Sequence, residues 1–331
     1  MSELKGRLAG WDSAIILITV VVLAGASVGV ENFGNGTNFT FLILDLLPIA
    51  LIALPMTMIV ITGEIDLSVA STLGLTSAIM GDLWNRGLTI ETIMPLCLVA
   101  GALLGAVNGA LINRLGLPSL AVTIGTLALY RGLALVVLGD AAVADFPRVY
   151  TGWVTGTIGG SAVPNVLIIL VVLAVIFGVV LHATPFGRSL FAIGANDQAA
   201  RFSGIDVART KFWLYVVSGA IAGLAGVLWT LRYSSARADN GAGLELAVVA
   251  AVLLGGVSIF GGKGSLWGVL ASVLLLATLQ NALRLQDVSG QALNIVTGVL
   301  LIASVLLPNL ITGVRNSVQK RRLRAVPAKS I

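Results

Sequence analysis

The chain has 331 residues, 57% hydrophobic and 11% charged, with a mean hydropathy of +1.01 and a formal charge of +5. So much apolar material excludes a water-soluble globule and points to an all-α polytopic membrane protein. The 39 glycines and the scarcity of period-two alternation argue against an outer-membrane barrel, and basic residues confined to short loops and the tail follow membrane topology rather than nucleic acid.

Lys5 and Arg7 precede a 17-residue apolar run, Ala14 to Val30, that is longer than a usual signal-peptide core and shows no obvious cleavage site. Residues 1–13 therefore read as a short cytoplasmic N-terminus before a retained first span. Crossing about 30 Å of hydrocarbon takes roughly 20 apolar residues. Ten candidate runs follow, at 14–30, 41–62, 66–81, 93–113, 120–138, 165–183, 212–231, 246–260, 265–283 and 291–310. Those at 66–81 and 246–260 are short, and are expected to be broken or partly buried in protein.

Cys97, the only cysteine, sits in an apolar run, which excludes an intrachain disulfide or a cysteine cluster and leaves core packing. Glycines four apart at Gly101, Gly105 and Gly109, and again at Gly219 and Gly223, predict close helix approach. The segment 139–164, with Trp153, is either a cap or docking surface on the outer face or a flexible loop with an interfacial anchor. One transmembrane domain thus covers 14–312, and a basic tail, 313–331, is expected to be disordered or to lie on anionic lipid. With the N-terminus inside, fourteen of the twenty Lys and Arg fall on inner segments, so both termini and the 184–211 loop are expected in the cytoplasm. An even count of ten spans keeps both ends there.

That loop, Thr184 to Lys211, is the longest polar interruption. Asn196 is placed to cap a short helix; Asp197 sits at the helix's positive end, four residues before Arg201, and Gly204 is a C-cap. A capped polar helix kept between two spans is expected to face a partner in the aqueous phase.

Ionisable groups inside the membrane are Asp45, Glu64, Asp66, Arg131, Glu245 and Arg284, with Asn108, Gln280, Asn281 and Asn294 as neutral company. An unpaired charge at mid-bilayer costs about 2.5–3.5 kcal/mol even on insertion scales, so each needs a partner or a hydrated path. Glu64 and Asp66 lie in GEIDLS, at a break between apolar runs, where Asp66 either caps the next helix or lines a path. Arg131 either snorkels or pairs with Asp45, Glu64 or Asp66. Glu64, Asp66, Asn108 and Arg131 are the candidate path residues.

No catalytic set, metal site or cofactor site is visible. Gly261-Gly262-Lys263-Gly264-Ser265 has the flavour of a phosphate loop, yet Val257 stands where its first glycine should be. The lone histidine, His182, is expected to pack at a span end.

Five blocks in order over about residues 45–310 resemble the permease subunits of bacterial ABC monosaccharide importers: IALPMTMIVITGEIDLSVASTLGL, LGLPSLAVTIGTLALYRGLAL, the 184–211 loop, SGAIAGLAGVL and AAVLLGGVSIFGGKGSLWGV. The likeness is to the ribose, rhamnose and autoinducer-2 permeases, and YSSARADNGAG leans to the latter two. It implies a type II importer fold of about ten spans in the bacterial inner membrane. It also implies a second permease, copy or paralogue, two cytoplasmic ATPase subunits that hydrolyse the ATP, and an extracytoplasmic sugar-binding protein. By the same resemblance the 184–211 loop is the coupling element, with Arg188, Asn196, Ala199, Ala200, Arg201 and Gly204 at the ATPase. Glu64 departs from the G-G-x-D-[LI]-S pattern of relatives, so it either faces a hydrated path or meets a basic partner. The competing class is an ion-coupled secondary transporter that uses the intramembrane carboxylates. A structural or regulatory membrane subunit without transport is a third class.

Overall fold

The computed structural model describes residues 10–293, 295–302 and 306; the first nine residues, Asn294, the end of the 291–310 run and the basic tail lie outside the described residues. In chain order the helices are α1 (Trp11–Gly29), α2 (Gly36–Ile61), α3 (Val69–Asn85), α4 (Ile90–Leu115), α5 (Ser119–Leu138), α6 (Arg148–Thr155), α7 (Leu167–Ala183), α8 (Pro185–Ala195), α9 (Asp197–Phe202), α10 (Val207–Tyr233), α11 (Leu244–Leu254), α12 (Leu266–Leu285) and α13 (Gly290–Ile302). Among the described residues the only β pairings are two isolated bridges.

A helix occupies each of the ten apolar runs, but not all are long. Six, α1, α2, α4, α5, α10 and α12, are long and apolar enough to cross a membrane, and α7 with α8 makes a pair bent by 66°. The runs at 66–81 and 246–260 became α3, of 17 residues, and α11, of 11 residues. Their apolar character serves burial against protein: Val69 to Ala78 of α3 and Ala247 to Leu254 of α11 are enclosed by neighbours. Hydropathy cannot tell burial in protein from burial in lipid.

α2 is the axis of the bundle, buried along nearly its whole length and packed by α7, α10, α11 and α12. In contrast α1, α4, α5 and α7 leave apolar side chains exposed, such as Leu17, Leu103, Leu129 and Val175, as a lipid-facing surface requires. The most extensive helix contact is between α4 and α10, and glycine is what permits it. A Cβ on Gly105 would stand 2.0 Å from the carbonyl oxygen of Tyr215, and one on Gly101 would stand 2.3 Å from that of Gly219. Cys97 is buried beside this seam, as its apolar setting predicts.

The 139–164 segment is ordered as α6, a short 3₁₀ turn at Ile158–Gly160 and two bridges, one of them tying Val143 to Ala236 beyond α10.

Candidate functional site

α2 ends at Ile61, and the chain turns through Gly63 at φ +82° before α3 begins. The backbone freed by this break is held by side chains from two other helices, α5 and α10. Ile65 N–H donates to Ser119 Oγ at 3.3 Å, and its carbonyl accepts from Thr123 Oγ1 and Tyr215 OH, each at 3.3 Å. Asp66, 1% exposed, accepts from Ser68 N–H at 3.0 Å and Ser68 Oγ at 2.6 Å through one oxygen, and from Ser218 Oγ at 3.1 Å through the other. It thus closes the turn that leads into α3, whose N-cap residue is Ser68 and which has no side-chain cap bond. Asn108 joins the same cluster by donating to Ser68 Oγ at 2.7 Å. Such a network costs little while every donor is matched, and much if one partner is removed.

Arg131 stands apart from this cluster and takes main-chain partners, where the sequence left open snorkelling or a pair with Asp45, Glu64 or Asp66. Its guanidinium donates to the carbonyls of Ala238 at 2.9 Å, Asn240 at 2.8 Å and Ala70 at 3.4 Å. Gly74 leaves the room, since a Cβ there would lie 2.5 Å from Arg131 Nη1. Asp45 is taken by Arg232 and Arg284.

The 184–211 loop folds as two helices. Thr184 Oγ1 caps α8 by accepting from Gly187 N–H at 3.2 Å, with Pro185 in the first turn. Asn196 Oδ1 caps α9 by accepting from Ala199 N–H at 2.9 Å, and Gly204 closes its far end at φ +85°. Asp197 and Arg201 pair at 2.7 Å, as their spacing predicts. Ala200 packs inward with Ile193 and Val207, whereas Arg188, Ala199, Arg201 and Gly204 are exposed.

Two fastenings join this loop to the α2–α3 break. The first is steric: a Cβ on Gly194 would lie 1.8 Å from the Ile61 carbonyl oxygen, so the tip of α8 rests directly on the end of α2. Gly262 N–H also donates to that carbonyl at 2.8 Å, which brings the 258–264 turn into the same seat. The second is ionic. Lys211 Nζ, on the first turns of α10, lies 2.6 Å from Glu64 Oε1 and 3.3 Å from Asp197 Oδ2. The hydrogen bond from Arg201, with the Lys211 charge behind it, holds the Asp197 carboxyl below its ordinary range. The charges therefore run in alternating sign from Arg201 through Asp197 and Lys211 to Glu64, two residues before Asp66.

Sequence reasoning found the capped helix but missed Lys211 as its link. The usable signal was a lysine opening an apolar helix, because a buried lysine needs a carboxylate. Phe202, 92% exposed at the end of α9, was also passed over. His182 sits exposed at a span end, its Nε2 accepting from Leu266 N–H at 3.4 Å. Among the described residues no group of acidic, histidine and cysteine side chains is arranged to hold a metal.

A family model described as the permease component of branched-chain amino acid transport systems matches residues 38–305, a span that includes the break, the loop and Lys211. The chain belongs to this permease family. Within it, the chain is 34% identical over 305 residues to the autoinducer 2 import system permease protein LsrD of Yersinia enterocolitica, covering 90% of this chain and 92% of that one. It is 32% identical over 332 residues to LsrD of Photorhabdus temperata, covering 98% and 99%, and 33% identical to LsrD of Yersinia pseudotuberculosis. No solved structure matches it. As a member of the permease family the chain is a multi-pass membrane transport subunit and not an enzyme.

Proposed function

We propose that this permease is the membrane subunit of an ATP-driven ABC importer in the bacterial inner membrane, with about ten spans and both termini in the cytoplasm. Its cargo is a monosaccharide-like solute of the rhamnose, ribose or autoinducer-2 class, delivered by an extracytoplasmic binding protein. A second permease and two cytoplasmic ATPase subunits complete the transporter. The cargo class rests on the LsrD relatives and the coupling role on the loop. The observation that carries the reading is that the loop bearing an exposed helix, α9, is fastened to the break in α2–α3 by charge from α9 and by the Gly194 contact from α8.

α9 offers the ATPase an outward surface of Ala199, Arg201 and Phe202, where a small residue, a guanidinium and an aromatic ring suit a protein groove. Closure of the ATPase pair on nucleotide displaces α9. Lys211 and the Gly194 seat pass the displacement to the end of α2 and to residues 64–68, and the Asp66–Ser68–Asn108 cluster repacks α3 against α4 and α10. A path between spans then changes its opening. ATP supplies the free-energy difference, since a ligand indifferent to the two states shifts neither. Specificity resides mainly in the binding protein.

The test is uptake of labelled monosaccharide in cells, wild type against Arg201→Glu at matched membrane levels, with ATP and the proton gradient depleted separately. Uptake should fall at least tenfold with the charge reversal and stop when ATP is depleted. Uptake that follows the proton gradient and ignores Arg201 would overturn the reading in favour of ion coupling.

A further inference from the structure

After α10 ends at Tyr233, residues 234–243 run without helix until α11 begins at Leu244. Glycine contacts fix the course of this segment. A Cβ on Gly81 would lie 2.8 Å from Ala236 Cβ, one on Gly74 2.8 Å from the Asn240 carbonyl oxygen, and one on Gly241 3.3 Å from that of Ala70. The segment therefore runs down α3 from Gly81 to Ala70, a descent of about 16 Å at helical rise. α3 in turn is keyed to α10. A Cβ on Gly226 would lie 2.6 Å from the Leu73 carbonyl oxygen, at a level about 10 Å short of the end of α10. A helix of 27 residues, about 40 Å long, centred on a core of about 30 Å overhangs it by about 5 Å at each end. Residues 239–243 thus lie at hydrocarbon depth.

Irregular backbone at that depth is tolerated against protein or water and excluded from lipid. On one side the segment has protein: Arg131 donates to the Ala238 and Asn240 carbonyls, and Asn240 Nδ2 donates to Ser77 Oγ at 2.8 Å. On the other side Arg237, Asp239, Ala242 and Gly243 are exposed. Arg237 and Asp239 pair through two bonds, at 2.8 and 3.1 Å, yet the Asp239 side chain stays 64% exposed. A half-solvated ion pair on a bare turn is costly against acyl chains. This face calls for water. Leu129, an exposed apolar side chain two positions before Arg131 on α5, shows what a lipid face at similar depth carries instead.

We propose that residues 237–243 form one wall of the solute's path, entered from the end remote from the 184–211 loop, and that the solute is an uncharged polyhydroxylated molecule. The Arg237–Asp239 pair sums to no charge and presents donors and acceptors together, which suits hydroxyl groups better than an ion. Arg131 is then a positioning residue that holds the wall from behind. The inference rests on the transport reading, but not on α9 as the coupling element.

The test introduces Asp239→Cys, Ala242→Cys and, as a lipid-facing control, Leu129→Cys into the full transporter, in a chain whose only other cysteine, Cys97, is buried. Spheroplasts are treated from outside with a membrane-impermeant cationic methanethiosulfonate or with a lipophilic maleimide. Asp239→Cys and Ala242→Cys should react with the cationic reagent at least about tenfold faster than Leu129→Cys, because a thiol in water ionises and one in lipid does not. Reaction at either wall position should also stop uptake of whichever of labelled rhamnose, ribose and autoinducer-2 the wild type imports. Reaction with the lipophilic reagent alone would mean a lipid face, and reaction with neither a face covered by protein such as a second permease; either overturns the proposal, as does cationic labelling that leaves uptake intact. Labelling needs no ATPase, so water access that persists while uptake ignores ATP depletion would count against the ATP-driven reading and leave the wall in place.

Discussion

The resemblance leads to an expectation of glycine at position 64, and the structure shows what a carboxylate does there. It meets Lys211, 147 positions away, with both side chains largely withdrawn from solvent at 17% and 10% exposure. Removing one member of a withdrawn pair is worse than removing both, because the survivor keeps its desolvation cost without its attraction. Lys211→Met alone should destabilise the protein by about 2–3 kcal/mol. Glu64→Gly combined with Lys211→Met should recover most of that loss, since it removes the stranded charge. A thermal unfolding cycle of the four proteins checks this, and additive losses would mean that Glu64 and Lys211 act separately. The pair shows where sequence stops being informative. Asp197 and Arg201 are four residues apart on one short helix, so local geometry brings them together. Glu64 and Lys211 meet only because α2 and α10 pack, which a single chain of letters does not state. Arg131 makes the same point, since its partners are main-chain carbonyls, invisible to any search for complementary charges.

At the scale of elements, glycines do two different jobs. Along α4 and α10 they form a long seam, in which Gly101 and Gly105 admit the backbone of Gly219 and Tyr215. Their four-residue spacing made this legible in advance, because small residues one turn apart have few other uses on an apolar helix. Gly194 is single and sits in a polar loop, so no pattern announced it; its role emerges only from the seat on Ile61. The two sites should fail differently. Gly105→Leu must push α4 and α10 apart within the core and should lower the amount of folded protein in the membrane. Gly194→Ala moves a loop helix at the surface, so it should leave the membrane level near wild type while uptake falls several-fold. Quantifying membrane-inserted protein and uptake for both variants decides the matter: an equal fall of level and uptake at Gly194 would reduce that contact to ordinary packing.

For the whole molecule, the buried course of α2 and the alternating charges place the 184–211 loop and the Arg232–Asp45 pair at opposite ends of one bundle. Which end meets the cytoplasm is a question of charge, and our proposal that the loop end does so rests on the excess of Lys and Arg near it. The wild-type chain is itself a clean background for testing this, because Cys97 is its only cysteine and is fully buried. Phe202→Cys would put a thiol on a highly exposed position of α9, and Asp140→Cys one on the exposed turn after α5, towards the other end. A membrane-impermeant maleimide added to intact spheroplasts should label Asp140→Cys and leave Phe202→Cys unlabelled until the membrane is opened. The opposite pattern would invert the molecule, place α9 out of reach of any cytoplasmic ATPase and remove the basis of the coupling proposal. Labelling of Phe202→Cys in opened membranes that is lost when the ATPase subunits are co-expressed would go further, because the same thiol would then report the covering of α9 by its partner.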